Sequence, residues 1–375
     1  MHYVAILVEA LILWFTLRRV ALIVGALLPR RPLPMEGSTN LPSVAVLVAA
    51  KDEESNLPTL FDALERLDYP PGKVTVSIAS NGSSDGTAGL LQAWEKSRSN
   101  VLGYVLEAPG KAAALAMAMA SAPPSDLIVT FDADTPPRPD CLRCLVPAFA
   151  DARVAAVGGY CAPTNPTESI VSRYSALEYW VHHLVNLSGK DRWNLGPIPS
   201  ANLAGYRRDA LVKVGGFLPG VADDVATALR LLAAGYRTRY VVDAIVDTPL
   251  VTTLDQLVSQ RRRWSANLNY AAGSVRGLET LSVAAGYLDR IVFVLCVLLA
   301  LGGWVPVPFL LMYPCVLLVA IVAALARAGH ARRIPEFLGV ALLMAPIDVW
   351  LSLPPLNRRR MHSWKPPGRS ASLEK

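Results

Sequence analysis

The residues best suited to chemistry are two aspartates, Asp132 and Asp134, at the end of an apolar, β-branched run that begins at Asp126. The run has the pattern of a buried parallel strand. Because side chains alternate along an extended chain, both carboxylates can point the same way at the carboxyl end of the strand. At about 4 Å they would repel by roughly 4 kcal/mol at an effective dielectric near 20. Mg²⁺ or Mn²⁺, which bind carboxylates together with phosphate oxygens, would remove that cost. A solvated turn explains a lone Asp-x-Asp motif better, so the flanking sequence must decide.

The chain that leads to these aspartates alternates short apolar strands with amphipathic helices. The pattern predicts strands at 44–49, 73–79, 101–106 and 126–134, and helices at 56–67, 87–96 and 111–120. Strands that alternate with helices of this length form a parallel sheet covered on both faces, and ligands bind at the carboxyl ends of its strands. The sequence therefore predicts an α/β nucleotide-binding domain.

Three loops around these strands carry groups suited to a nucleotide. The acids of Lys51-Asp52-Glu53-Glu54 could bind a base or a ribose, and they could equally begin a helix. The segment Asn81-Gly-Ser-Ser-Asp85-Gly-Thr offers backbone donors and a capping hydroxyl, as an ordinary turn also does. Gly110-Lys111 opens a helix, where a cation and helix N–H groups could bind a phosphate. Each loop is ambiguous when it is taken alone.

A second pair of acids, Asp223 and Asp224, precedes a helix that runs to about Ala234 and ends at Gly235. Capping a helix requires only one acid. The second acid could be a general base, because a neighbouring carboxylate and partial burial would raise its pKa towards a useful value.

Residues 253–270 form a strongly basic helix that contains Gln260-Arg-Arg-Arg-Trp264. Arginines on one face with Trp and Leu on the other favour a helix in the membrane interface. A solvated run of charges is the alternative, and Trp264 inside the run argues against it.

Composition indicates a membrane protein. The chain has 375 residues, 53% of them hydrophobic, and a net charge of +6. Its arginine clusters flank apolar runs, as in the positive-inside pattern, so anionic lipid is a better partner than nucleic acid. The five cysteines predict no disulfide framework, which fits a reducing cytosolic face.

Four apolar segments could meet the membrane. Residues 3–28 are interpreted as an uncleaved anchor that spans to about Leu17. Segments 285–305 and 307–325 are long enough to span as a hairpin. Segment 335–353 contains Pro346 and Asp348, which favours a re-entrant or interfacial helix. The predicted domains are an N-terminal anchor (1–31), a cytosolic catalytic domain (32–276), C-terminal membrane helices (277–357) and a basic tail (358–375).

Taken in order, these motifs resemble the membrane-bound family 2 glycosyltransferases, which include cellulose, chitin and hyaluronan synthases and the related ceramide glucosyltransferases. The resemblance runs from about Val44 to Trp264. It implies a GT-A fold, a mostly parallel Rossmann-like sheet that binds a nucleotide-sugar and Mg²⁺ or Mn²⁺. It also implies a multi-pass protein of the plasma or inner membrane with its catalytic domain in the cytosol.

The resemblance assigns roles to the motif residues. Asp224 would be the base of an inverting, single-displacement transfer, and Asp134, with Asp132, would bind the metal. The residues implied to contact the nucleotide-sugar are Asp52, Glu53, Asn81, Asp85, Lys111 and Asp132. Those implied to contact the acceptor and the diphosphate are Asp223, Gln260, Arg263 and Trp264, with Trp264 stacked on a sugar and Arg263 paired with leaving-group charge.

Three departures from the family pattern affect what can be inferred. Ser80-Asn81 stands where the family has one or two aspartates, which leaves nucleotides other than a uridine nucleotide open. Ala222-Asp223-Asp224 replaces Thr-Glu-Asp, so the base is retained beside a shorter neighbour. Lys51 replaces an aromatic residue in the first motif.

The sequence supports more than one function. The first is transfer of a sugar from a nucleotide-sugar to a hydroxyl of a growing polysaccharide or oligosaccharide. The expected donor is a UDP-sugar. A single transfer to a lipid acceptor is the alternative, because two or three helices after the domain are few for a polymer channel. A non-catalytic membrane protein that binds nucleotide-sugars is the alternative from another class.

Overall fold

The computed structural model describes residues 2–31, 33, 41–217, 223–262, 264, 294, 297–303 and 307–352. These residues fall into two compact units. The sheet unit takes its described residues from within Pro32–Thr164 and Gly196–Leu250, and the helical unit from within Met1–Arg31, Asn165–Leu195 and Val251–Arg360.

The sheet unit is a seven-stranded sheet with helices between its strands. Its strands are β1 (Val44–Ala50), β2 (Val74–Asn81), β3 (Val101–Leu106), β4 (Leu127–Asp132), β5 (Val154–Pro163), β6 (Leu203–Arg207) and β7 (Arg237–Thr248). The strand order is β3-β2-β1-β4-β6-β5-β7, and only the pairs that β6 makes with β4 and β5 are antiparallel. All residues of β1 except Ala49 are buried, which explains the continuous apolar run in the sequence. The predicted α/β, mostly parallel fold is therefore confirmed.

The helices of the sheet unit connect successive strands and bury an apolar face against them. They are α2 (Leu57–Glu65), α3 (Thr87–Ser97), α4 (Lys111–Ser121), α5 (Cys141–Leu145), α8 (Arg208–Lys213) and α9 (Asp223–Ala233). Ala114, Leu115 and Ala118 of α4 pack with Ala45 and Leu47 of β1 in the central core cluster. This packing fixes the start of α4 beside the ends of the central strands.

The helical unit contains α1 (His2–Leu27), α6 (Ile170–Trp180), a π-helical segment (Val181–Leu187), α7 (Ser188–Trp193), α10 (Val307–Arg327) and α11 (Ile334–Ser352). Residues 254–262 are also helical. Arg19 of α1 is buried, donates from Nη2 to the Tyr313 hydroxyl of α10 over 3.2 Å, and lies 5.4 Å from the centre of that ring. A polar contact of this kind is costly to leave unmade in apolar surroundings.

Among the described residues, one helix is long and apolar enough to cross a membrane, the stretch Ile6–Leu27 of α1. The apolar stretch Leu311–Arg327 of α10 is shorter. The segment predicted at 335–353 forms the helix α11 with Pro346 inside it. Most of the segment predicted at 285–305 lies outside the described residues.

Candidate active site

The carboxyl ends of β1, β2 and β4 meet at one edge of the sheet. In the parallel register Ala49 of β1 pairs with Asp132 of β4, and Ala50 of β1 pairs with Ser80 of β2. The loops that follow these strands are therefore neighbours, as expected for a ligand site in an open α/β sheet.

Hydrogen bonds join the loop after β1 to the loop after β2. Asp52 Oδ1 accepts from the Ser84 backbone N–H at 2.8 Å and from the Ser84 hydroxyl at 3.0 Å. The Glu53 N–H donates to Thr87 Oγ1 at 2.8 Å, and that hydroxyl donates to Asp85 Oδ1 at 2.6 Å. Asp52 and Asp85 thus hold the two loops together. A carboxylate has about four lone-pair sites, so each can also accept from a ligand.

Asp52 has a φ of 55°, in the left-handed region that non-glycine residues seldom adopt. Such a conformation persists only where surrounding contacts enforce it, and it is common at binding sites. The two bonds from Ser84 and a bond from the Asp52 N–H to Ser83 Oγ at 3.2 Å are those contacts here. Nothing in the sequence around Asp52 indicated this conformation.

Asn81, the last residue of β2, has a buried acceptor that no donor satisfies. The residue is 4% exposed, and among the described residues nothing donates to its Oδ1. An unsatisfied buried acceptor costs about 1 to 3 kcal/mol, so such groups are kept for a reason. A bound ligand with an N–H or O–H donor would satisfy it.

Glu53 is 2% exposed and lies among other acids. Burial raises the pKa of its carboxyl to about 8, and the charges of Asp134, Asp132 and Asp85 act in the same direction. A bond from Asn56 Nδ2 to Glu53 Oε2 at 2.6 Å opposes the shift. Glu53 is therefore mostly protonated at neutral pH and adds little negative charge to the site.

This raised pKa predicts that stability falls as pH rises. Between pH 4.5 and about 8 the folded chain retains a proton on Glu53 that the unfolded chain has lost. Each pH unit in that window then costs at most about 1.4 kcal/mol. Thermal unfolding midpoints measured across the window should decline less in Glu53→Gln, while exposed Glu107→Gln should follow the natural chain. Equal slopes in all three proteins would contradict the assignment.

Lys111, the first residue of α4, forms an ion pair with Asp132. Both side chains are partly exposed, so the pair contributes little to stability but sets the charge of the site. A cation at a helix N-terminus adds to the helix N–H groups as a site for phosphate. The structure therefore joins two of the predicted residues directly.

Asp134 lies just beyond β4, and this corrects the predicted strand. The strand ends at Asp132 instead of continuing to Asp134, because the Thr135 N–H bonds to the Asp132 carbonyl at 3.1 Å and the chain turns. The turn, and not strand alternation, therefore sets the direction of the Asp134 side chain. The charges of both aspartates act on Glu53, so both carboxylates lie near that residue.

These acids fit a metal that is shared with a substrate. Among the described residues no group of three or more His, Cys, Asp or Glu side chains could hold an ion alone. Mg²⁺ and related ions commonly bind one or two carboxylates and take their remaining ligands from water and substrate phosphates. Asp132 and Asp134 supply two carboxylates of this kind, and a diphosphate would complete the ligand set.

Asp224, in the first turn of α9, is fixed at both carboxylate oxygens. Its Oδ1 accepts from the Val225 N–H at 2.8 Å, and its Oδ2 accepts from the Ala201 N–H at 3.2 Å. The adjacent Asn202 carbonyl accepts from Thr135 Oγ1 at 3.4 Å, and the same hydroxyl contacts the Asp132 carbonyl at 3.1 Å. A short chain of contacts thus connects Asp224 to the Asp132–Asp134 turn within the sheet unit. The side chain of Asp223 lies outside the described residues.

Gln260 and Trp264 belong to the helical unit, and Arg263 lies outside the described residues. Gln260 Oε1 is buried and has no donor among the described residues. The Arg261 guanidinium stacks on Trp264 at 4.3 Å from the ring centre and pairs with Glu178. The sequence singled out Arg263, yet the three-residue spacing from Arg261 to Trp264 on a helix could have indicated this stacked pair.

The sequence matches a known family model, Glycosyltransferase like family 2, over residues 42–267. An N-acetylglucosaminyltransferase of Mesorhizobium japonicum is 27% identical over 337 residues, 84% of this chain and 78% of that protein. A β-monoglucosyldiacylglycerol synthase of Trichormus variabilis is 31% identical over 240 residues, 62% of this chain and 49% of that protein. A probable glycosyltransferase of Bacillus subtilis is 26% identical, and the match covers 57% of its length.

A solved structure shares the fold. The mannosyltransferase of Pyrobaculum calidifontis, in complex with GDP-mannose and Mn²⁺, superposes with a TM-score of 0.63 at 20% identity and covers 94% of this chain and 95% of its own. The family match spans more than half of the chain and includes every motif of the sheet unit described above. The chain therefore belongs to the family 2-like glycosyltransferases and is a glycosyltransferase.

Proposed function

We propose that this protein is a membrane-embedded, inverting glycosyltransferase that moves a sugar from a nucleotide-sugar to a hydroxyl of a growing saccharide. The observation that carries this proposal is Asp224, a carboxylate fixed by two backbone donors in the same unit as the Lys111–Asp132 pair. The N-acetylglucosaminyltransferases among the relatives support a saccharide product, because the match extends along most of both chains.

Asp224 is the general base of this proposal. Its carboxylate takes the proton from the acceptor hydroxyl as the hydroxyl oxygen bonds to the anomeric carbon of the donor. The bond from that carbon to the phosphate oxygen breaks, and its electron pair leaves with the nucleoside diphosphate. Because attack and departure occur on opposite faces, the anomeric configuration inverts. The bonds from Ala201 and Val225 keep the carboxylate oriented, which general base catalysis requires.

Lys111 and the two aspartates of the β4 turn serve the leaving group. The Lys111 ammonium moves its pairing from Asp132 to the diphosphate as negative charge develops there. Asp132 and Asp134 would hold Mg²⁺ or Mn²⁺, which neutralises charge on phosphate oxygens when it is bound. The Mn²⁺ in the solved mannosyltransferase supports a divalent ion for this chain.

The nucleotide contacts Asp52, Glu53, Asn81 and Asp85 in this proposal. Asn81 is the most informative of these residues to test, because its Oδ1 has no donor among the described residues and would gain one when a nucleotide binds. A nucleobase N–H would supply that donor. A uridine nucleotide is expected first, and a guanosine nucleotide is the alternative that the departure at Ser80-Asn81 leaves open.

Replacing Asn81 with alanine should weaken nucleotide binding without weakening the fold. Loss of one buried hydrogen bond corresponds to a roughly tenfold higher Kd for the nucleoside diphosphate. Among the described residues the Asn81 Oδ1 accepts no hydrogen bond, so Asn81→Ala loses none there. We therefore expect no fall in the unfolding temperature of the nucleotide-free variant from a lost hydrogen bond at that atom. Calorimetric titration with UDP and GDP measures the first effect, and an unchanged Kd for both would exclude Asn81 from the nucleotide site.

The acceptor contacts Asp223, Gln260, Arg263 and Trp264 in this proposal. Trp264 would stack on a sugar ring, and the buried Gln260 Oε1 would accept from a sugar hydroxyl. Arg261 stacks on one side of the Trp264 ring, and its ion pair with Glu178 holds the guanidinium in place there. The family resemblance supports these roles together with the helical position of the residues.

A lipid acceptor is the second candidate. The 31% identical β-monoglucosyldiacylglycerol synthase supports it, and so do the exposed apolar side chains of α1, α10 and α11. The same side chains support contact with a membrane. The proposal of a multi-pass protein of the plasma or inner membrane, with the predicted domain boundaries and a cytosolic catalytic domain, rests on the sequence pattern alone. Membrane lipids are then its constant partners.

Release of nucleoside diphosphate by the detergent-purified protein tests the proposal. It is measured with Mn²⁺ or Mg²⁺ across a panel of UDP- and GDP-sugars, with saccharide and diacylglycerol-type acceptors. Products that form a ladder of sizes identify a growing saccharide, and one addition to a lipid-extractable product identifies the lipid acceptor. Tight nucleotide-sugar binding with no turnover in any combination would favour the non-catalytic alternative.

A further inference from the structure

A basic helix, residues 254–262, runs beside α6 in the helical unit. Ser169, which caps the start of α6, donates from Oγ to the Thr252 carbonyl at 2.8 Å. In the last turn of α6, Glu178 forms an ion pair with Arg261. Both contacts join residues that are 83 positions apart. Because this separation is constant, the two helices run in the same direction and in register.

Apolar side chains also pack these two helices together. Tyr174 and Leu257 lie between the two polar contacts and belong to one buried cluster. The Arg261 and Glu178 side chains are only 10% and 16% exposed. A buried ion pair is weak evidence for stability, because a well-packed hydrophobic pair of similar volume is often as stable or more so. The pair therefore indicates a role beyond holding the two helices together.

The ion pair fixes the Arg261 guanidinium against the Trp264 ring. The guanidinium carbon lies 4.3 Å from the centre of that ring. Because a mostly buried charge is costly to leave unpaired, the guanidinium stays where Glu178 reaches it. A cation over the face of an indole attracts the ring and so restrains it. The ring of Tyr179, the residue after Glu178, lies 6.4 Å from the Trp264 ring at an angle of 46°.

This arrangement limits what Trp264 and Arg261 can bind. The guanidinium occupies one face of the Trp264 ring, so a sugar can stack only on the opposite face. The charge of Arg261 is balanced by Glu178 before any substrate binds, so Arg261 adds little attraction for a diphosphate. Both features favour a role in acceptor binding over a role at the leaving group.

We propose that Glu178 is a positioning residue for the acceptor, because through Arg261 it sets the orientation of the Trp264 ring on which a saccharide stacks. This inference rests on the proposed function, in which Trp264 contacts the acceptor. It adds that a residue of α6 with no substrate contact of its own controls the affinity for the acceptor. Binding of the nucleotide-sugar and the chemical step do not depend on Glu178.

Fluorine NMR of the full chain in detergent, labelled with 5-fluorotryptophan, tests the positioning without any substrate. The chain has eight tryptophans, and the resonance that is missing from Trp264→Phe belongs to Trp264. We expect Glu178→Gln to shift or broaden this resonance, and Glu178→Asp, which keeps the charge, to change it less. Glu336→Gln is the matched control, because Glu336 pairs with Arg173 of α6 at 2.7 Å, and it should leave the resonance unchanged.

Transfer from UDP-N-acetylglucosamine to an N-acetylglucosamine tetramer tests the effect on the acceptor, with reagents chosen from the names of the relatives. In Glu178→Gln the KM for the tetramer should rise about 3- to 30-fold, which corresponds to the free energy of one cation–π contact. The kcat and the Kd for UDP should stay within about twofold, as expected when only binding of the acceptor is lost. Glu336→Gln should match the natural protein in all three quantities.

A second variant covers the case in which Glu178→Gln does not fold because it leaves Arg261 without its partner. Glu178→Met combined with Arg261→Met replaces the pair with apolar side chains, which proteins commonly tolerate. It also removes the cation from the Trp264 ring, so the KM for the tetramer should rise as in Glu178→Gln. The thermal unfolding midpoint of each variant establishes that it is folded.

The remaining outcomes overturn the inference in distinguishable ways. An unchanged Trp264 resonance in Glu178→Gln would overturn the positioning, whatever the protein catalyses. A changed resonance with an unchanged KM would show that Glu178 orders the helices without serving the acceptor, and a weaker Kd for UDP would place its effect at the donor. If the natural protein neither binds the tetramer nor transfers sugar to it, the proposed saccharide acceptor fails, and this inference fails with it.

Discussion

Asp224→Asn should lower kcat for sugar transfer by about 10²- to 10⁴-fold, the range that a general base contributes. Asparagine keeps the shape of the side chain, and its Oδ1 can still accept from the Val225 N–H. It cannot take a proton from an acceptor hydroxyl. Binding of the nucleotide-sugar, measured by titration, should stay within about twofold, because Asp224 contacts the acceptor in this mechanism.

Asp209→Asn is the matched control for this result. Asp209 also begins a helix of the sheet unit, and its Oδ1 accepts from the next N–H, that of Ala210, at 2.7 Å. It shares the capping contact of Asp224 but is exposed and has no role in the proposed site. Its kcat should match that of the natural enzyme. Equal rates for Asp224→Asn and the natural enzyme would remove Asp224 as the base.

Asp134→Asn should lower the metal-activated rate by about 10²- to 10³-fold, which corresponds to several kcal/mol of lost charge stabilisation. With only Asp132 left as a carboxylate of the pair, the concentration of Mn²⁺ needed for half-maximal rate should rise at the same time. Initial rates measured over a range of Mn²⁺ concentrations, at saturating nucleotide-sugar, separate the two effects.

The control for Asp134 is Asp140→Asn. Asp140 precedes α5 a few residues further along the chain, is exposed, and should show the natural metal dependence. A full rate for Asp134→Asn at the natural Mn²⁺ concentration would show that the metal, or its role, lies elsewhere. Loss of rate in both variants would instead point to damage of the turn after β4.

The sheet was the most predictable part of the molecule. Its inner strands are buried on both faces, so β1 and β4 appear in the sequence as continuous apolar runs without any knowledge of their neighbours. The end of β4 was not predictable to the residue, because the bond from the Thr135 N–H to the Asp132 carbonyl depends on the turn geometry. The sequence placed Asp132 and Asp134 at the carboxyl end of this strand, where they lie, but it predicted an extended strand as far as Asp134 instead of a turn after Asp132.

The loops show why residue roles are harder to predict than elements. The sequence identified Asp52 and Asp85 as polar groups after strands, but the bonds of Asp52 to Ser84 join residues about thirty positions apart. Such contacts form only when β1 and β2 are paired, so no local pattern contains them. The unsatisfied Asn81 Oδ1 likewise depends on burial by distant residues.

Residues 168–187 illustrate a limit of periodicity. Tyr174, Leu177 and Trp180 lie three residues apart, a helical spacing that indicates an amphipathic helix with a buried face, and all three residues are buried. The helix instead continues through a π-helical segment into α7, and it belongs to the helical unit. Periodicity reports that a face is covered, but it does not identify the elements that cover it.

The contact between Arg19 and Tyr313 also constrains how the protein can be made. These two residues are 294 positions apart. At about 5 to 20 residues per second, a ribosome needs on the order of 15 to 60 seconds to add the second after the first. During that interval α1 exists without its contact to Tyr313, so we expect α1 and α10 to pair late in synthesis. The time between the two ends of the helical unit, rather than the folding of the sheet, is then the vulnerable stage of its biosynthesis.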